Sequence, residues 1–136
     1  QLPQQQLAQW AMEHATCFIA LIDIGDALKK QQILTQVQEV FEARLAGNVS
    51  AYELRKVGFL AQKLSQKAKS PVSKYAARVF AQAVATAHMR GHAIVSADYA
   101  VKVLNLQSPD DTEAVRKERE KQIGLATKWQ KSINEI

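Results

Sequence analysis

Helix-start signals recur four times along this chain, and the apolar patterns around them repeat at about 3.6 residues, never at two. That punctuation constrains the fold more than any other feature. Asp26 stands where a side chain can cap the following helix. Ser50-Ala51-Tyr52-Glu53 forms a capping box, in which the serine hydroxyl accepts from the N–H three residues on and Glu53 reaches back. Ser70-Pro71 puts a cap before the first helical position, where proline loses no hydrogen bond. Ser108-Pro109-Asp110-Asp111 opens a last helix with acids at the positive end of its dipole.

Between these signals the helices can be drawn. Leu7, Trp10, Ala11, His14, Phe18 and Leu21 predict a first helix of about four turns, with Gly25 as a stop. A second, with Leu28, Ile33, Val37, Val40, Phe41 and Leu45 as its apolar positions, runs to Leu45 and is stopped by Gly47-Asn48. A third spans Ser50 to about Lys67, and a fourth runs from Ser70 to about Met89, ended by Gly91. Six of the twelve residues from Ala76 to Ala87 are alanine, which predicts a central helix closely approached by its neighbours. A short fifth helix carries Ile94, Ala97, Val101 and Leu104, and a sixth continues through Val115, Ile123 and Trp129. The five glycines and three prolines supply no Asn-Gly or Asp-Gly hairpin turn. The expected fold is all-α: a single-domain bundle of about six helices with short connections, over residues 1–136.

At 136 residues the chain is long enough for one real core. Its lone Cys17 excludes an internal disulfide framework and fits a reducing compartment. The longest apolar run, Cys17 to Ile22, is far short of the roughly 20 residues that span a bilayer. The expected location is therefore cytoplasmic, without membrane. A start on Gln1 rather than Met points to a lost upstream segment.

The net charge of +5 is unevenly spread. Residues 1–49 carry three Lys/Arg against five Asp/Glu, residues 50–108 nine against two, and residues 109–136 six of each. Between Glu53 and Asp98 no acidic residue occurs. Such a block either attracts an acidic partner or simply solvates one face.

Catalytic motifs are lacking. The chain has no G-x-S-x-G, P-loop, G-x-G-x-x-G or H-E-x-x-H, so no enzyme, catalytic residue or cofactor is expected. Cys17 follows His14 by three residues, but beside Phe18 and Leu21 it reads as a small buried hydrophobe. His14, amid an apolar stripe, reads as a core histidine that must find a hydrogen-bond partner. His88 and His92 have the i, i+4 spacing of a metal pair, yet Gly91 lies between them and only Asp98 is near as a third ligand. No metal is expected, and His88 is read at a helix C-terminus, where the dipole favours it.

The third helix carries the clearest binding signal. Leu54, Val57, Ala61, Leu64 and Ala68 share one face, while Tyr52, Arg55, Lys56, Phe59 and Lys63 share the other. Basic side chains interleaved with aromatics suit a partner surface. The competing reading buries the helix on two sides, with the lysines snorkelling outward.

The run Ala83-Val84-Ala85-Thr86-Ala87-His88-Met89-Arg90-Gly91-His92-Ala93, followed by Ala97-Asp98-Tyr99-Ala100, resembles the signature segment of the Imm-5-like immunity proteins of bacterial toxin–immunity loci. Gln9-Trp10-Ala11, Leu45-Ala46-Gly47 with Ser50, and Glu118-Arg119 with Gln122 fit the same pattern. The family's second helix usually opens on an acidic, Arg-Pro-Arg-like segment, where this chain reads Asp26-Ala27-Leu28-Lys29-Lys30-Gln31-Gln32. The resemblance implies an all-helical, non-enzymatic protein that binds and neutralises a toxin or bacteriocin-type partner. It also marks Trp10, His14, His88, His92, Asp98 and Tyr99 as family-like positions without an assigned role. The alternative is a basic helical nucleic-acid-binding module, suggested by the acid-free stretch. A histidine-based metal protein or enzyme comes third, and a homo-oligomer stays open.

Overall fold

The computed structural model describes residues 2–134, and all of its regular structure is helical. In chain order these are α1 (Gln4–Thr16), a 3-10 turn (Ile19–Leu21), α2 (Ala27–Leu45), α3 (Ala51–Gln66), α4 (Pro71–Ala85), α5 (His92–Gln107) and α6 (Thr112–Asn134). Three of the four start signals form their N-caps, although among the described residues the return bond from Ser50 N–H to Glu53 is not formed. Asp26 accepts from Lys29 N–H at 2.9 Å, Ser50 from Glu53 N–H at 3.2 Å, and Ser70 from Ser73 N–H at 3.1 Å. The fourth is displaced. Asp111, not Ser108, caps α6 by accepting from Ala114 N–H at 3.0 Å. Asp110 enters it at φ 63°, a left-handed conformation that short polar side chains tolerate.

Helix lengths depart from the periodicity in three places. First, α1 ends at Thr16, because the N–H groups of Cys17 and Phe18 turn back to the carbonyls three residues earlier, at 3.1 and 2.9 Å. This tightening sends Phe18 and Ile22 inward and leaves Cys17 on the outside of the turn. Cys17 is therefore exposed, which corrects its assignment to the core. Second, α4 stops at Ala85 rather than Met89, and Thr86 folds its hydroxyl back onto Gln82 O at 3.0 Å. Third, Gly91 does not end α4 but begins α5, which runs sixteen residues and is not short.

The alanine-rich α4 lies at the centre, packed against α1, α3 and α5. Ala76, Ala77, Val79, Phe80, Ala83 and Val84 are all fully buried. Val37 and Phe41 of α2, Leu54 and Leu64 of α3, and Ala100 and Val103 of α5 complete the core. Two buried serines fix its edges. Ser73 exchanges hydrogen bonds with the backbone of Asp23, at 2.6 and 2.9 Å, and Ser96 of α5 donates to Val79 O at 2.8 Å. The outer α6 packs against α1 and α5. Among the described residues, no helix is long and apolar enough to cross a membrane.

Candidate functional site

The Ser50 cap starts α3 in a register that divides it cleanly. Leu54, Val57, Ala61 and Leu64 are buried against the bundle. Tyr52, Arg55, Lys56, Phe59 and Lys63 all point outward, with Tyr52 60% and Phe59 72% exposed. The snorkelling alternative, a helix buried on two sides, is not the one adopted. Lys56 Nζ lies 5.4 Å from the centre of the Tyr52 ring, a contact available to a solvated cation. Among the described residues, none of Arg55, Lys56 and Lys63 is paired with a carboxylate.

Phe59 stands as a ridge between two hollows. Toward α4, a cleft of about 200 Å³ is lined by Arg55, Phe59, Gln62, Ala85, His88 and His92. Toward α2, one of about 310 Å³ is lined by Gln36, Val40, Lys56, Phe59 and Lys63. Burying a phenylalanine side chain is worth about 1.5–3 kcal/mol, a gain this fold forgoes at Phe59. The arrangement is a projecting aromatic ring with concave surface on either side.

His88 and His92 meet at that cleft without sharing a helix. His88 is exposed in the turns after α4, beyond its last turn, which corrects its placement at the helix C-terminus. His92 opens α5, and its Nδ1 lies 2.6 Å from Gln82 Oε1. Among the described residues, no group of three or more His, Cys, Asp or Glu is arranged to hold a metal ion.

His14 lies elsewhere, in the contact between α1 and α6. It is 1% exposed, stacked on Trp10 at 6.1 Å and edge-on to Phe18 at 5.3 Å. Its Nε2 sits 2.5 Å from Glu118 Oε2. Gln122 donates to the same Glu118 oxygen at 2.7 Å and to Ala97 O of α5 at 3.2 Å. Arg119 joins Gln122 Oε1 at 2.8 Å to Asp98 at 2.7 Å, and Trp10 Nε1 donates to Gln122 O at 2.9 Å. Burial pushes the Glu118 carboxyl up. The hydrogen bonds from His14 and Gln122, with nearby positive charge, outweigh that and hold it below its ordinary value. The family-like residues Trp10, His14 and Asp98, together with Glu118, Arg119 and Gln122, are thus one network that clamps α6 to α1 and α5. Each of these six residues has a hydrogen-bond or ion-pair partner within the network.

Two surface features emerge only from the tertiary structure. A groove of about 810 Å³ opens between α1, the start of α5 and α6, walled by Leu7, Trp10, Ile94, Ile123 and Ala126. Arg90 at its edge is committed to Leu2 O at 2.7 Å. On the opposite flank of α5, Tyr99 packs against Tyr75 of α4, with ring centres 5.8 Å apart. No local period in the sequence connects those two residues.

Compared with known proteins, residues 1–128 match the model of one family, described as Imm-5 like putative immunity protein. The chain belongs to that family. No curated protein and no solved structure matches it.

Proposed function

We propose that this member of the Imm-5 like family is a non-enzymatic interaction protein that neutralises a toxin-type protein by docking the outer face of α3 against it. The observation that carries this reading is Phe59, 72% exposed between two hollows and flanked by Arg55, Lys56 and Lys63. Aromatic and arginine side chains of this kind dominate binding energy once a partner excludes water around them. The face is built on a helix whose opposite side is locked in the core, so it can bind with little rearrangement. Its charge selects a partner surface that is acidic, because like-charge juxtaposition is penalised. A basic substrate cleft on the toxin would be avoided, and inhibition would come from occlusion or distortion beside it.

The test is co-purification with the product of the adjacent gene, followed by calorimetry. Truncating Tyr52 or Phe59 to alanine should weaken the complex by about 1–3 kcal/mol each while leaving the melting curve in place. The second reading, a nucleic-acid module, is favoured by the acid-free stretch between Glu53 and Asp98 and a pI near 9.4. It requires affinity for nucleic acid that collapses with salt. Charge removal at Arg55, Lys56 or Lys63 would then each lower the salt slope by about one unit.

A further inference from the structure

One outward row of α4 carries the exposed Lys74 and the half-buried Arg78 and Gln82 at i, i+4 spacing. At one end of this row Gln82 Oε1 lies 2.6 Å from Nδ1 of His92, at the start of α5. In the middle of the row the Arg78 guanidinium carbon lies 5.0 Å from the centre of the Tyr75 ring and 5.7 Å from that of Tyr99. The Nζ atoms of Lys74 and Lys102 lie 5.9 and 5.5 Å from the same Tyr75 centre. Three cations therefore converge on one aromatic pair. Among the described residues, no carboxylate pairs with any of them, and no acceptor hydrogen-bonds the Arg78 guanidinium. The nearest acid along α5, Asp98, is taken by Arg119 of α6.

With no acceptor bonded to it among the described residues, the Arg78 guanidinium has its donors open. A guanidinium carries five N–H donors in a planar fork matched to a carboxylate. Arg78 is half-buried, so much of the freedom it would lose on binding is already lost. The mutual repulsion of three cations is relieved when an anion sits among them. We propose that Arg78, held by Tyr75 and Tyr99 and flanked by Lys74 and Lys102, is a receptor for carboxylate side chains presented by an acidic segment of the protein partner. This rests on the protein-partner reading above and names the chemistry that the partner must display. A nucleic-acid backbone fits less well. It needs cations spaced along a track and bare aromatic faces for the bases, whereas here the charges meet at one point and the Tyr75 ring is covered by them.

The test uses the full chain and a short all-glutamate peptide, with a single-stranded oligothymidylate of equal charge in parallel. Binding is followed through the ring resonances of Tyr75 and Tyr99, with Tyr52 on α3 as the remote reporter. The peptide should move the Tyr75 and Tyr99 signals before that of Tyr52. Arg78→Lys, which keeps the charge and removes the fork, should weaken the peptide about tenfold at an unchanged melting temperature. Peptide binding undiminished by Arg78→Lys, no movement of either ring, or tighter binding of the oligothymidylate at the same rings would each overturn the proposal. The two readings fail separately. A toxin complex that needs Phe59 and ignores Arg78 sinks the carboxylate receptor alone. Peptide capture at Arg78 without any effect on toxin activity sinks the neutralising function alone.

Discussion

The helices α4 and α6 are both integral to the bundle, yet different forces hold them. The inward residues of α4 are alanine, valine and phenylalanine, and the polar Ser73 at its start is fully bonded. Its attachment is apolar burial at close approach, which is non-directional and tolerant of small shifts. Among the described residues, the buried positions of α6 are Glu118 and Gln122, and hydrogen bonds to His14, Ala97 and Trp10 help to fix it. Such a network sets one register for the helix, but it is costly once any member is removed. The apolar centre provides most of the stability, and the polar clamp determines where α6 sits.

That contrast can be broken by mutation. The largest effect belongs to the apolar side. Phe80→Ala, at a fully buried position of α4, should cost about 3–5 kcal/mol in a denaturant melt and raise amide exchange throughout the bundle. A uniform rise is the signature of a residue on which every helix depends.

Next comes the clamp. Glu118→Ala leaves His14 and Gln122 without their shared acceptor and should cost about 1.5–3 kcal/mol. Its exchange pattern should differ, with α6 amides opening first while those of α4 stay protected. A double-mutant cycle between His14 and Glu118 should return a coupling energy of about 0.5–3 kcal/mol. Additive losses would mean that the two residues act apart.

A weaker probe of the same clamp is acid. The folded Glu118 carboxyl is held below its ordinary value of 4.5, so the folded state binds this proton less readily than the unfolded chain. The stability it contributes is complete above that ordinary value and is lost as the pH falls through the folded one. Below pH 4.5, α6 should therefore loosen before α4, and Glu118→Gln should flatten this part of the profile. The smallest effect is expected at the clamp's outer end. Asp98→Ala removes an exposed ion pair to Arg119 and should cost about 1 kcal/mol or less.

The two regions also differ in how far the sequence revealed them. The caps at Asp26, Ser50 and Ser70 bond residues three positions away, so local chemistry was enough to place α2, α3 and α4. The same chemistry misplaced the α6 cap, because Ser108 and Asp111 both suit the role and only Asp110's left-handed turn decides between them. Apolar periodicity ran α1 through Phe18 to Leu21 because a 3-10 turn buries Phe18 and Ile22 almost as a helix would, while tipping Cys17 outward. The buried histidine at position 14 was readable as needing a partner. Its partner, 104 residues away, was not. For α3 the two faces were legible, since one helix carries both patterns. The Arg78 cluster was not, because Tyr99 arrives from α5 and no local period connects it to Tyr75.

In the function proposed above, the outer face of α3 engages a protein partner. That engagement is tested most directly by titrating the adjacent gene's product into the wild-type chain and into Phe59→Ala, and measuring the dissociation constant and the residual toxin activity. Loss of about 1–3 kcal/mol of affinity with matching loss of neutralisation, at an unchanged melting temperature, is the result expected of an exposed binding residue. Full affinity and full neutralisation by Phe59→Ala would contradict that engagement.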